Sequence, residues 1–222
     1  MKTKTLVLAA AALTACALTA SAQSNVYSLN IVGYVNVTIQ PGYNMVANPL
    51  DDGKGNNSTN LVPANIQPGA QILTYDPVLL YTTFTKKSTG AWNGSAAITP
   101  GKGYFIRNTN TVVSYTNTFV GNVAASVPGS LTNTIQPGYN LVGSMFPIGG
   151  GITNTGSNTL NIGGALPNGS QLLTYDPVLL YTTFTKKSTG AWNGTANVNV
   201  GQGFFARTTN ATPITWIQNV GP

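Results

Sequence analysis

The amino-acid sequence predicts an all-β protein, in which two tandem antiparallel β-sandwich modules follow an N-terminal signal peptide. Three observations lead to this prediction. No segment keeps a 3.6-residue apolar period, whereas short runs of β-branched and aromatic residues alternate with Gly, Pro, Asn and Asp turns. One long block occurs twice in the chain. Only 6% of the residues are charged although 42% are hydrophobic, which suits an extracellular β protein with an uncharged polar surface.

The first 22 residues have the parts of an export signal. Lys2 and Lys4 supply positive charge, residues 6–15 are apolar, and residues 20–22 (Ala-Ser-Ala) form a small-residue cleavage site. The apolar run is shorter than the roughly 20 residues that a membrane-spanning helix needs. We therefore expect a secreted or cell-surface protein without a transmembrane segment.

The single cysteine, Cys16, leaves two alternatives open. It is either a small residue of an ordinary signal peptide, the alternative that we favour, or a lipid anchor. The second alternative arises because residues 13–16 (Leu-Thr-Ala-Cys) resemble a bacterial lipobox, whose cysteine is lipidated.

The repeat defines two modules, which we expect to span residues 25–123 and 124–222. Residues 73–94 (LTYDPVLLYTTFTKKSTGAWNG) recur without a change as residues 173–194. Shorter blocks repeat in the same order on either side: 38–44 with 134–140, and 101–107 with 201–207.

Turn residues divide each module into short strands. In the first module we expect strands at 43–47, 71–75, 78–86, 103–107 and 111–119, with one helical turn within 60–66. Residues 25–39 form the clearest predicted strand, because apolar and polar residues alternate along it. Related sequences precede and follow each module, so this strand either pairs within its own chain or completes a sheet in a neighbour.

Four short motifs run through the first module. They are Gly-Tyr-Asn-Met-Val-Ala-Asn-Pro-Leu at 42–50, Tyr-Asp-Pro at 75–77, Trp-Asn-Gly at 92–94 and Pro-Gly-Lys-Gly-Tyr-Phe at 100–105. Together they resemble a family of exported bacterial surface repeats with β-sandwich modules. The resemblance covers nearly all of the chain after the leader and implies fold and location rather than an activity. The second module departs from the pattern at residues 143–146 (Gly-Ser-Met-Phe).

The inventory of side chains argues against an enzyme. The chain has no His and no Glu, and its four acids are Asp51, Asp52, Asp76 and Asp176. General acid–base catalysis and serine nucleophiles therefore lack their usual base. Asp76 and Asp176 each precede a proline, where an Asx turn is the expected role. We predict no catalytic activity and no cofactor.

Asp51 and Asp52 are the candidates for a metal site. They begin an oxygen-rich loop, Asp-Asp-Gly-Lys-Gly-Asn-Asn at 51–57, that is compatible with Ca²⁺. The loop lacks the spaced acids and the bidentate Glu of an EF-hand, so we favour a solvated loop and predict no metal.

The candidate ligand-binding site lies at the hairpin ends. Each module places a tryptophan, an asparagine and a lysine there: Trp92, Asn93 and Lys86, and Trp192, Asn193 and Lys186. An exposed Trp beside an Asn amide can stack on a sugar ring and bind its hydroxyls. In the alternative that we favour, the tryptophans fill the module cores or cap the ends of the sheets, and the lysines protect a strand edge.

These features predict a non-enzymatic structural or adhesive protein of the cell envelope or extracellular matrix. Its partners would be other envelope or matrix proteins or copies of itself, with exchange of strand 25–39 as one route of assembly. The alternative is a glycan-binding module that uses the Trp and Asn residues. The net charge of +6 includes Lys2 and Lys4 of the leader and contains no basic run, so we predict no nucleic-acid partner.

Overall fold

A computed structural model describes residues 32–124 and 129–221 of the chain. The predicted signal peptide with Cys16, and residues 25–31 of the predicted first strand, lie outside the described residues. Within the described ranges the protein consists of fourteen strands and one four-residue helix, and the strands pair antiparallel. The predicted all-β fold with two tandem antiparallel modules is confirmed.

The first module has six strands: β1 (Val32–Ile39), β2 (Gly42–Ala47), β3 (Gln71–Asp76), β4 (Leu80–Thr85), β5 (Gly103–Asn108) and β6 (Tyr115–Asn122). A four-stranded sheet has the order β2-β5-β3-β4, and β1 pairs with β6. The helical turn predicted within 60–66 is wrong, because this stretch, which contains Pro63, forms turns and bends instead.

The second module repeats this arrangement and adds a short strand pair and a helix: β7 (Gly129–Ile135), β8 (Gly138–Gly143), β9 (Gly150–Gly151), α1 (Ile162–Ala165), β10 (Gln171–Asp176), β11 (Leu180–Thr185), β12 (Asn197–Val198), β13 (Gly203–Thr208) and β14 (Ile214–Val220). Its four-stranded sheet has the order β11-β10-β13-β8, β7 pairs with β14, and β9 pairs with β12.

In each module, the first and the last strand pair with each other. β1 runs antiparallel to β6 from the Val32–Asn122 pair to the Ile39–Tyr115 pair. β7 and β14 repeat this pairing in the second module. The described part of the predicted first strand therefore pairs with β6 of its own chain. Strand exchange between chains would have to replace this pairing.

Each module buries a hydrophobic core between its strand pair and its four-stranded sheet. The two cores contain different side chains at corresponding positions: Ile72 and Leu172, Tyr104 and Phe204, Ile106 and Ala206. The modules thus reach the same fold through different packing, which cores tolerate when volume and pattern are kept.

A buried carbonyl shows how the cores differ. The Leu61 carbonyl accepts hydrogen bonds from the Tyr104 hydroxyl (2.6 Å) and from Asn117 Nδ2 (3.1 Å). Burial raises the pKa of Tyr104, so its hydroxyl stays a donor. In the second module the indole Nε1 of Trp216 donates to the Leu160 carbonyl (2.7 Å) instead.

We expect Trp216→Phe to destabilise the protein more than Tyr104→Phe. The first change removes the donor to the buried Leu160 carbonyl and also some core volume, so a loss of about 1–3 kcal/mol is expected. In the second change, Asn117 still donates a hydrogen bond to the Leu61 carbonyl, so the expected loss is roughly 1 kcal/mol. Urea unfolding of both variants measures the difference, and equal losses would contradict this account of the cores.

The two four-stranded sheets pack face to face. Met45, Phe105, Leu141 and Phe205 form a third buried cluster between the modules. Because side chains alternate along a strand, Phe105 of β5 faces the other module while Tyr104 beside it faces its own core. The inner strands β5 and β13 are therefore covered on both faces, whereas the edge strands β4 and β11 stay largely exposed.

Backbone hydrogen bonds to two glycine turns also join the modules. The amide of Ala47 donates to the carbonyl of Gly201 (2.8 Å), and the amide of Gly143 donates to the carbonyl of Gly101 (3.1 Å). The glycines that begin the repeated blocks 101–107 and 201–207 thus also make a contact between the modules.

Candidate functional site

The candidate site is the repeated hairpin, which we define as residues 73–94 and 173–194. It contains all but the first two residues of β3 and all of β4 in the first module, the same parts of β10 and β11 in the second, and the segment that follows each pair. Its sequence is identical in the two modules, yet none of its residues is fully buried in either one. Some of its residues, such as Leu73 and Trp92, pack against buried clusters. Packing does not account for the identity of its exposed tip, residues 78–80 and 178–180.

The tip of the hairpin is apolar and exposed. Val78, Leu79 and Leu80 are 85%, 77% and 57% exposed, and the tip of the second hairpin matches these values within a few per cent. The Asp76 carboxylate accepts hydrogen bonds from the amides of Val78 (2.8 Å) and Leu79 (2.9 Å), which confirms the predicted Asx turn. These bonds lower the pKa of Asp76.

Leu80 and Leu180 adopt a backbone conformation that suits glycine. Both have φ of 61°, in the left-handed region that bulky residues rarely occupy. Such strain persists only where the surroundings hold it, and it often accompanies function. Both hairpins therefore present an apolar side chain where a glycine would be less strained.

The predicted residues Lys86 and Trp92 lie at the base of the first hairpin. Lys86 Nζ donates to the carbonyls of Ala64 (3.0 Å) and Ile66 (2.7 Å). Trp92 is half-buried and packs against the core of its module. Both side chains thus anchor the hairpin to the loop that precedes β3.

Lys186 and Trp192 occupy the same place in the second module. Lys186 Nζ donates to the carbonyls of Gly163 (2.9 Å) and Leu166 (2.7 Å) and lies 6.0 Å from the centre of the Trp192 ring. The indole of Trp192 also donates to the Gly163 carbonyl (3.3 Å).

Asn93 and Asn193 cap one end of a strand edge. The side-chain oxygen of Asn93 accepts a hydrogen bond from the backbone amide of Thr85 (2.8 Å). The backbone amide of Asn93 donates to the Thr85 carbonyl (3.1 Å). Asn193 and Thr185 make the same pair of bonds. The structure thus brings each predicted Trp, Asn and Lys together at one hairpin base, and glycan binding by these residues stays a prediction.

Asp51 and Asp52 use their carboxylates to close their own loop. Asp51 accepts from the Gly53 amide (2.9 Å) and Asn56 Nδ2 (3.0 Å), and Asp52 from the amides of Lys54 (2.8 Å) and Asn56 (2.8 Å). Among the described residues, no group of three or more His, Cys, Asp or Glu lies together as a metal site would need.

β4 and β11 are edge strands of their sheets. The backbone amide of Lys86 donates to the Ala70 carbonyl (2.9 Å), that is, towards β3. Backbone groups alternate in direction along a strand, so those of Tyr81, Thr83 and Thr85 point outward, away from the sheet. The asparagine cap occupies the outward groups of Thr85. Within the described parts of the chain, no hydrogen bond reaches the outward amides and carbonyls of Tyr81 and Thr83.

A tyrosine pocket of about 240 Å³ lies where the modules meet. Its lining comes from both modules: Tyr43, Leu73, Tyr81, Phe105, Tyr175 and Tyr181. Burial raises the pKa of Tyr81 and of Tyr181 above the ordinary value for a tyrosine. Sequence reasoning missed this pocket because its walls are about 100 residues apart in the chain.

Comparison with protein-family models, curated proteins and solved structures finds no match. Within the described ranges, no helix has the length and apolar character required to cross a bilayer.

Proposed function

We propose that the protein is a non-enzymatic, secreted structural or adhesive component of the cell envelope or extracellular matrix. The observation that carries this proposal is the repeated hairpin, whose exposed tip keeps an identical sequence in both modules while the module cores differ. A duplication alone would leave exposed and buried positions equally similar. A requirement for the same surface in both modules explains the identity.

The hairpin tips supply the adhesive contact in this proposal. Isolated exposed apolar residues are common, but three consecutive ones at a strained, hydrogen-bonded tip form a surface that a partner can cover. The scaffold holds two such tips, because the modules are joined by a shared buried cluster. Two identical contacts on one rigid body strengthen attachment through avidity.

Removing the apolar tips is expected to release the protein from its partner. The variant Val78→Ser, Leu79→Ser, Val178→Ser, Leu179→Ser should lose co-sedimentation with envelope and matrix fractions of the producing cells. Altering one tip should weaken apparent affinity by about 100-fold or more, since avidity is lost. Val112→Ser is the matched control, because this valine is 83% exposed outside the hairpin. Binding by the four-site variant at the strength of the control would overturn the tip contact.

The same experiment separates the glycan-binding alternative. That alternative predicts retention of binding when the tips are changed and loss when Trp92→Ala and Trp192→Ala are combined. It also predicts competition by a soluble glycan. Trp92 and Trp192 contribute to their cores, so circular dichroism must first show that the double variant is folded.

A further inference from the structure

We propose that copies of this chain assemble edge to edge, through antiparallel pairing of β4 or β11 of one molecule with β4 or β11 of another. The inference rests on the proposed structural function and names the contact between copies. The partner is therefore a second copy of this chain.

The edge strand carries the groups that such pairing requires. Tyr81 and Thr83 each turn one amide and one carbonyl outward, and these groups have no hydrogen-bond partner among the described residues. The strand sequence, Leu-Tyr-Thr-Thr-Phe-Thr at 80–85, has high β propensity and contains no charge, Pro or Gly. Natural edge strands normally contain such protective features.

One register satisfies every outward group of both strands. A two-fold axis through Thr82 places Tyr81 opposite Thr83 of the neighbour, and Thr83 opposite its Tyr81. Each of these two pairs exchanges two backbone hydrogen bonds, as in an antiparallel ladder. The same register sets Leu80 opposite Phe84, an apolar cross-strand pair of the kind that stabilises sheets.

The charges next to the strand favour this antiparallel orientation. Lys86 and Lys87 follow the strand directly. A parallel pair in register would set the lysines of the two chains side by side, where like charges destabilise a sheet. The antiparallel register moves them to opposite ends of the paired segment, where residues 91–93 of their own chain already pair with them.

Other edges of the protein suit this role less well. β1, β2 and β6 differ in sequence from β7, β8 and β14, so a contact made by one module is not available in the same form from the other. At the ends of β2 and β8, amides already bond to the glycine turns of the opposite module. β4 and β11 are identical, so every combination of edges forms the same contact.

Two equivalent edges on one chain lead to open assemblies. A contact about a two-fold axis closes when a molecule has one edge. A molecule with two edges binds a neighbour at each and continues as a chain of molecules. The assembly should therefore grow with protein concentration.

Blocking the edges one at a time tests this inference. The full secreted chain is examined by size-exclusion chromatography with light scattering and by electron microscopy over a range of concentrations. We expect multimers for the unmodified protein, dimers for Thr83→Lys alone, and monomers for Thr83→Lys combined with Thr183→Lys. Thr116→Lys with Thr132→Lys is the matched control, because it adds the same charge at exposed positions of β6 and β7 and should still form multimers.

Hydrogen exchange on the unmodified protein gives a second measurement. The amides of Tyr81, Thr83 and their repeats should gain protection as concentration rises. A monomeric unmodified protein without this gain, multimers retained by the doubly blocked variant, or monomers of the control would each overturn the pairing. A monomer whose tips still bind envelope fractions would overturn the pairing and leave the proposed function intact. Assembly through the edges without tip-dependent binding would do the reverse.

Discussion

Phe205→Ala is expected to destabilise the whole protein by about 3–5 kcal/mol, because it opens a cavity between the two four-stranded sheets. Phe205 is buried, and its ring centre lies 5.2 Å from that of Tyr75 and 6.3 Å from that of Phe105, both in the other module. Its removal should therefore weaken both modules. Urea unfolding gives the loss of stability, and hydrogen exchange in β5 reports on the first module.

Leu79→Ala is the control for this prediction. Leu79 is also a large apolar residue but lies at the exposed hairpin tip, where substitutions usually change stability by less than about 0.5 kcal/mol. If Phe205→Ala left exchange in β5 unchanged, the modules would be energetically independent, and the shared cluster would not join them.

The positions of most strands could be predicted from the sequence because their signals are local. Pro-Gly, Asp-Pro and Gly-x-Gly turns bound short β-branched and aromatic runs, and β2, β3 and β5 lie within one residue of their predicted ranges. β6 begins later than predicted, at Tyr115. The reason is an Asx turn in which Asn110 accepts from the amides of Val112 and Val113, both at 2.9 Å.

The arrangement of the strands could not be predicted in the same way. β5 lies between β2 and β3, and this order depends on contacts across about 30 to 60 residues of chain. The tyrosine pocket and the unpaired edges follow from that order. The left-handed Leu80 also escaped prediction, since its residue type disfavours the conformation.

The sequence pointed to the repeated hairpin as the candidate site, but the side chains that it singled out have different contacts from those expected. Trp92, Asn93 and Lys86 lie on the repeated hairpin, but their contacts hold its base and cap its edge. The exposed features of the hairpin are its tip and its outward backbone groups. Backbone hydrogen bonding across an edge has no residue signature, so only the sheet order could locate it.

Gly201→Ala is expected to cost about 2–5 kcal/mol, through backbone strain and a steric clash together. Gly201 has φ of 81°, and an added Cβ would lie 2.5 Å from Cγ2 of Val37 in the other module. Its carbonyl also accepts from the Ala47 amide, so a shift that relieved the clash would strain this bond. Urea unfolding measures the loss.

Gly90→Ala separates the two contributions. Gly90 has φ of 86°, so an alanine there is strained to the same degree, but nothing lies within 4 Å of its added Cβ. The control should therefore lose only the strain, about 1–2 kcal/mol. The excess loss in Gly201→Ala is the energy of the clash at the module contact. Equal losses in the two variants would mean that the turn at Gly201 moves away from Val37 without cost. The contact of this turn with the first module would then contribute little to stability.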